Sequence, residues 1–469
     1  IMPAGNYIQQ GIEVYLITPY YNSSISSISF TAWKEVSLGT LELGYTYDYD
    51  ENTFHSLYTV PLVDATQANL NNTSFTYNIA LPTGNNYRLA FKWRCDTEDC
   101  YSAFLDNVCV YTYVPNTHIA NTSSSTQMTW AEFAQNVNNG ITYEGQTVYL
   151  DANVTATTRA GYATNSDTKS FHGTFDGQGH TITFNFTANS TYAAPFACVK
   201  NATFLNLKTA GTITANTKRY AGGIAGMVIS GSQNCTFTNC ESNVTITSTS
   251  NGTDDCRHGG FVANVVGGNV TFNGCAFTGG FSGTNAKGWG GFVGYFNHYV
   301  YFTDCIFSPT SISINNQNNS TFARPSGTQV ITFTNCYYTQ SLGGSQGKQR
   351  YTVTAESPAT VAMNGTATNH NVSHITAYSD NQGLVYNNAI VAGEGDNVSL
   401  NLDGANFYIT DHGIITGNGN PYTLAMDANN TIISIAKNHI ATTASDTQMT
   451  WAEFAQNVNN GYTYEGQNL

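Results

Sequence analysis

The sequence predicts an all-β chain organised around a right-handed parallel β-helix, with a short helical cap before it and further β-domains on either side. Two patterns and one composition carry that expectation. A six-residue strand motif occupies 202–207, 235–240, 270–275, 300–305 and 331–336, reading for example Cys235-Thr236-Phe237-Thr238-Asn239-Cys240. Its last positions, Leu207, Cys240, Cys275, Cys305 and Cys336, lie 33, 35, 30 and 31 residues apart. Doubled glycines (Gly222-Gly223, Gly259-Gly260 and Gly290-Gly291) stand between copies. Alternation inside the motif indicates a strand, and Asn, Gly or Asp before its last residue indicates a turn. Paired glycines allow a tight corner, so strand, corner and strand in about 30 residues make one coil of a solenoid. Only 10% of the 469 residues are charged, against about 25% in ordinary globular chains. Asn, Thr, Ser, Gln and Tyr must therefore cover the surface, while 41% hydrophobic residues suffice for packed cores and exclude disorder.

Taken in order, residues 1–115 show alternating strands at 25–33, 41–45, 87–93 and 103–108 and form a first β-domain. Cys95 and Cys100, in Cys95-Asp96-Thr97-Glu98-Asp99-Cys100, are expected to close a small hairpin loop as a disulfide. Metal ligation is the alternative, but no further Cys/His pair at zinc spacing lies nearby. Next comes a near-verbatim duplication. The stretch from Thr126 to Gly140 returns from Thr447 to Gly461, with Trp130 and Trp451 321 residues apart. Trp130, Phe133, Ala134 and Val137 fall on one helical stripe, and Thr129 with Glu132 makes a capping box. This helix is expected to cover the open first coil of the solenoid.

The β-helix with its cap spans 116–348. Stacking of coils about 4.8 Å apart should set Phe237, Phe272, Phe302 and Phe333 in one ladder and Cys240, Cys275, Cys305 and Cys336 in another. Parallel stacking aims the sulfurs poorly for disulfides, so buried free thiols are expected. Residues 349–437 form a small all-β spacer domain, with strands near 351–354, 398–402, 422–425 and 431–435. Residues 438–469 begin a second tandem unit with the repeated helix, so the chain reads as part of an extended array.

Three resemblances sit on these residues. The doubled-Gly coils, preceded by Phe171-His172-Gly173-Thr174-Phe175-Asp176-Gly177-Gln178-Gly179-His180, resemble the GLUG-motif repeats of bacterial surface proteins over about 126–345. The strand order of 1–115, with Thr18-Pro19 early and Asp106-Asn107 late, resembles β-sandwich jelly rolls of the cleaved-adhesin and choice-of-anchor type, with the opening strands missing. Residues 349–437 are similar to the small all-β repeat domains that separate modules in such proteins. The resemblances imply an extracellular, cell-surface location and a role in adhesion or surface structure. They also imply sugar or calcium sites, for which Asp48, Asp50, Asp106 and Asn107 are the candidates. The bland alternative is a hydrogen-bonded turn at Asp48 and Asp50 and backbone satisfaction at Asp106-Asn107. Tyr45, Tyr47 and Tyr49, read as exposed, would stack on sugar rings or serve as ordinary strand residues.

Sixteen Lys+Arg against thirty Asp+Glu argue against nucleic acid, and no apolar run of 18 residues spans a membrane. The residues at the start show no signal peptide, and the repeat favours an internal piece of a secreted protein. Since β-helices also cleave polysaccharides, the candidates for an acid pair are Asp254-Asp255, with Arg257 and His258 nearby, and Asp176 with His180. Neither recurs on the next coil, and adjacent strand residues point to opposite faces. Sequons such as Asn153, Asn185 and Asn243 are expected from an Asn/Thr/Ser-rich chain in any case. The reading is a non-catalytic segment of a large repetitive surface protein. Its partners would be glycans, host or neighbour-cell surface proteins, or like subunits in a filament. The alternative is a polysaccharide-binding or polysaccharide-cleaving β-helix protein.

Overall fold

The computed structural model describes residues 11–18, 25–34, 39–47, 51–62, 74–79, 87–96, 103–112, 115–162, 167–188, 192–215, 220–249, 255–283, 287–314, 318–357, 359–403, 407–411, 414–416, 419–435, 437, 439–445, 448–459, 463–464 and 469. Strands dominate, and the described α-helices are α1 (Trp130–Asn138) and α2 (Trp451–Asn459). No described helix is long and apolar enough to cross a membrane. The chain divides into two compact units, 1–115 with 139–141, and 116–138 with 142–469.

In the first unit, Glu13–Ile17, Tyr87–Cys95, Gly39–Tyr47 and His55–Val60 form an antiparallel sheet in that order. Ser74–Asn78, Ile25–Lys34 and Ala103–Thr112 form a second. Period-two alternation turns Ile28, Phe30, Leu41, Leu43, Leu89, Phe91 and Trp93 into one shared core. The Phe30 ring meets Phe91 edge-on at 4.9 Å.

The second unit contains a parallel β-solenoid of about six turns. One turn runs through Thr203–Leu205, Lys208–Ala215, Tyr220–Gly222 and Ala225–Val228 before Asn234–Thr238 begins the next. The register sets Phe175, Phe204, Phe237, Phe272, Phe302 and Phe333 on one line. From Phe204 onward these rings stack at 4.9, 5.0, 4.9 and 5.3 Å, because the spacing of hydrogen-bonded strands nearly equals that of offset-stacked rings. Phe261, Phe292 and Phe322 form a second stack that meets the first edge-on.

Helix α1 is held by its capping box, in which the Thr129 N–H donates to Glu132 Oε2 at 2.7 Å. Its stripe of Trp130, Phe133, Ala134 and Val137 is buried, with Phe133 set against Phe171, Phe175 and Phe196 of the first turns. The nine residues of α2 are identical, yet none is buried, and Trp451 is 66% exposed.

Beyond the last turn, Tyr351–Ala355 opens a mixed seven-stranded sheet that packs with an antiparallel four-stranded sheet on Val353, Met363, Val398, Leu400, Leu424 and Ile433. The segment read as a spacer lies against the solenoid. Ile375, Leu384, Tyr386 and Val391 bury Ala276, Ile306 and Tyr337 of the solenoid's flank. Tyr337 donates to Asp396 at 3.0 Å, and Lys348 pairs with the same carboxylate.

Candidate functional site

Each turn of the solenoid bends after its Phe strand at a residue with left-handed backbone. Asn206, Asn239, Gly274, Asp304 and Asn335 hold φ between 50° and 58°, where Gly, Asn and Asp are the residues tolerated. Their side chains bond between turns: Asn239 Nδ2 donates to Asn206 Oδ1 at 2.7 Å, and Asn335 Nδ2 to Asp304 Oδ1 at 2.7 Å. Immediately after them, Cys240, Cys275, Cys305 and Cys336 are buried free thiols, each directed at the carbonyl two residues earlier at 3.1–3.5 Å. Burial, and then the neighbouring Cys275 thiol, pushes Cys240 and Cys305 well above the ordinary value. Such thiols are poor nucleophiles, and the column is interior packing.

Gly274 interrupts the Asn/Asp line, and the 351–435 domain uses the gap. A side chain at 274 would run into the His370 ring, whose atoms lie 2.2–2.3 Å from the position of a Cβ. Asn239 Oδ1, left without a next Asn, accepts the Val372 N–H at 3.0 Å, and Ser373 Oγ donates to the Gly274 carbonyl at 2.6 Å. One turn-position glycine is thus the keyhole of an intrachain interface.

Among the described residues, a group of aromatic and cationic side chains gathers at the doubled-glycine corner. A Cβ at Gly222, Gly259 or Gly290 would sit 1.9–2.0 Å from the carbonyl three residues on, so no side chain fits. The bend brings outward side chains of the flanking strands together. Tyr192, Tyr220 and Arg257 share one register line, with the tyrosine rings 5.4 Å apart. Across the corner, the Arg257 guanidinium lies 3.8 Å from the centre of the Tyr295 ring and donates to Asn264 Oδ1 at 2.8 Å. Arg324 lies over the same ring at 5.0 Å. These half-exposed rings and guanidiniums lie on successive turns and stack on one another as cation–π pairs.

The other expected site residues lie apart from this corner. Asp48, Asp50, Tyr49 and Cys100 lie outside the described residues; Cys95 is disulfide-bonded. Asp106 and Asn107 sit in a β-bulge of Ala103–Thr112, where Asp106 Oδ1 accepts the Asn107 N–H at 2.8 Å and Asn107 takes φ of 50°. Both features belong to the local bulge geometry, and no group of three His, Cys, Asp or Glu that could hold a metal ion occurs among the described residues. Tyr45 is buried rather than exposed, because it faces a cluster with His55 and Tyr87 at 4.9 and 5.0 Å. Asp254 and the Asp255 side chain also lie outside the described residues, while His258 points inward onto Trp289 at 4.5 Å, on the opposite face from Arg257. Asp176 Oδ1 accepts from the Gln178 N–H and Asn206 Nδ2, as a turn residue does.

One arrangement escaped the sequence reading. Ser170 Oγ is 2.7 Å from His172 Nε2, and His172 Nδ1 is 4.0 Å from Glu144, in the order of a nucleophile–base–acid set. Ser170 is fully buried and its hydroxyl reaches the Asp167 carbonyl at 3.0 Å, so the group pins a turn and offers no nucleophile to a substrate. The spacing of two in a turn gave no signal of it.

Comparison with known proteins adds little to this geometry. No protein-family model matches the chain, and no curated protein matches it. A solved structure titled IgA1 Protease is similar at 12% identity and a TM-score of 0.31, over 66% of this chain and 27% of that one. The chain thus spans about a quarter of that structure's length.

Proposed function

We propose that this chain is a non-catalytic segment of a large, repetitive, secreted cell-surface protein that acts in adhesion or as an extracellular stalk. In this reading α1 is the end cap of a right-handed GLUG-type β-helix, and residues 1–115 are a jelly roll of the cleaved-adhesin or choice-of-anchor type. The carrying observation is that the opening stretch of the unit returns after it. The verbatim stretch from Thr126 returns 321 residues on, and between its copies lie one solenoid and one domain braced along its flank. A braced solenoid repeated in series suits load and reach. The expected partners are glycans, surface proteins of a host or neighbouring cell, or like units of a filament. A second reading, polysaccharide binding by the β-helix itself, is favoured by the Tyr192–Tyr220–Arg257–Tyr295–Arg324 corner.

The test is binding of the whole chain to an array of glycans and matrix proteins, with and without a calcium chelator, alongside release of reducing sugar. Saturable binding without turnover supports the adhesin, and its loss in Arg257→Gln places the ligand at the corner. Turnover would sink the non-catalytic reading.

A further inference from the structure

We propose that Lys348 and Asp396 are the two ends of an isopeptide bond, which the folded protein forms by itself and which bolts the flanking domain to the solenoid. The two residues come from separate elements. Lys348–Gln349 stands at the end of its parallel sheet and pairs with Tyr337–Tyr338, which sets Tyr337 and Lys348 side by side in register. Asp396 sits in the turn between Ala389–Ala392 and Asn397–Asp403. There its N–H donates to the Gly393 carbonyl at 3.0 Å, and its own carbonyl accepts the Met426 N–H at 2.9 Å. The lysine amine lies in contact with Asp396 Oδ1. Its stem passes because residue 393 is glycine, where a Cβ would stand 2.5 Å from the Lys348 Cβ.

The two carboxylate oxygens have different partners, and that division carries the proposal. Lys348 meets Oδ1, while Oδ2 accepts the Gly393 N–H at 2.7 Å and the Tyr337 O–H at 3.0 Å. The same hydroxyl lies 2.8 Å from Asn335 Oδ1, an acceptor already served by the Gly383 N–H at 2.7 Å, so its proton can turn to Oδ2 as charge grows there. A nucleophile held on one side of the carboxyl and two donors fixed on its far oxygen are the parts of an acyl-transfer site with an oxyanion hole. The Asp396 side chain is 4% exposed and that of Lys348 46%, so the reacting carbon is shielded while the amine side stays open. The step balances without a co-reactant. One proton passes from Nζ to Oδ1, leaving a neutral amine beside a carboxylic acid. Nζ attacks Cγ, and negative charge gathers on Oδ2 between Gly393 and Tyr337. A second proton moves from the nitrogen to Oδ1, the Cγ–Oδ1 bond breaks, and water leaves on the open lysine side. The Cγ–Nζ amide remains, and tension along the chain then passes through it and not through residues 349–395.

The test is made on the whole chain 1–469, produced by cell-free synthesis and sampled over time for intact mass, then digested for peptide mapping. The bond predicts a chain lighter by one water and a branched peptide that joins Lys348 to Asp396. Lys348→Arg keeps the positive charge without a condensing amine, so it should keep the full mass. Tyr337→Phe removes one donor to Oδ2 and should slow closure by about a hundredfold. Hydrogen exchange over 367–378 checks in each variant that the domain is folded on the solenoid. A wild-type chain protected there and still at full mass would overturn the proposal. So would a water loss that persists in Lys348→Arg, since Asp396 can also dehydrate onto its own backbone as a succinimide. Equal closure rates in the wild type and Tyr337→Phe would remove the oxyanion hole, and with it the assignment of the two oxygens.

Discussion

Gly274 offers a direct measure of how the 351–435 domain is keyed to the solenoid. By its turn position it looks exchangeable with Asn239 or Asp304, and Gly274→Ala is a minimal change. Two costs follow. The left-handed backbone (φ +58°) penalises a Cβ by about 1 kcal/mol. The new methyl also lies 2.2–2.3 Å from His370 ring atoms, so the ring must leave, and with it the bonds from Val372 to Asn239 and from Ser373 to the Gly274 carbonyl. At about 1 kcal/mol for each bond, the total is about 3 kcal/mol. In a His370→Ala background the steric part vanishes and only the backbone cost of about 1 kcal/mol should remain. The double-mutant cycle therefore predicts an interaction energy of about 2 kcal/mol. Urea unfolding of the four proteins, with hydrogen exchange over 367–378 to locate the loss, is the assay. Equal costs of Gly274→Ala in both backgrounds would refute the keyhole.

Three further outcomes follow from the same geometry. Eight of the described cysteines are not in a disulfide, seven of them buried, so among these a thiol reagent should titrate one, Cys109, in the native chain and all eight after unfolding. Burial pushes Cys198 up to about 12, so raising the pH to 9 should not expose it to alkylation. Phe272 is sandwiched by Phe237 and Phe302 and edged by Phe261 and Phe292, so Phe272→Ala should cost about 3–5 kcal/mol by denaturant midpoint. Phe333, partly exposed on the last turn, should cost less. Burial lowers His172 and His370 below their ordinary 6.5. The unfolded chain then binds more protons, so stability is complete above about pH 6.5 and falls as pH drops below it. Asp304, which faces His370, is raised by burial and works the other way as pH approaches 3.8. Melting temperatures across pH 4–8, with His370→Asn removing part of the slope, test the sign.

The solenoid was legible because its stabilising contacts repeat. Phe237, Phe272, Phe302 and Phe333 occupy the same place in successive turns, and a one-dimensional stack writes that place into the sequence at every turn. Contacts made once leave no period. The bond from Val372 to Asn239 spans 133 residues and occurs on a single turn, and Gly274 looks like an ordinary turn substitution until His370 is seen above it. Alternation also tells which residues share a face without telling which face is inside. Tyr45 differs from the exposed side chain its alternation suggests for that reason, its ring being enclosed by His55 and Tyr87. At the doubled glycines the tight corner was legible, but not that it gathers Tyr220, Arg257 and Tyr295, which come from three different turns.

The scarcity of charge also follows from the stacking. In a parallel solenoid each surface residue has an equivalent about 4.8 Å above and below. Two like charges at that distance repel by about 1 kcal/mol in water and more near protein, and a column of them adds the cost at every step. An amide escapes this because it donates on one side and accepts on the other, as Asn239 does beneath Asn206. Asn153, Asn185 and Asn201 work in the same way, each accepting a backbone N–H from the next turn at Thr181, Thr212 and Gln233. Asn153 and Asn185 are therefore turn-to-turn clamps, which accounts for those two sequons without any glycan. One pair that does stack in register is of opposite sign: Lys208 lies directly beside Glu241, with the charged groups 3.7 Å apart. Glu241→Lys should then destabilise the solenoid more than Glu241→Gln, and added salt should narrow the difference. A like-charge variant that cost no more than the amide would remove this explanation of the composition.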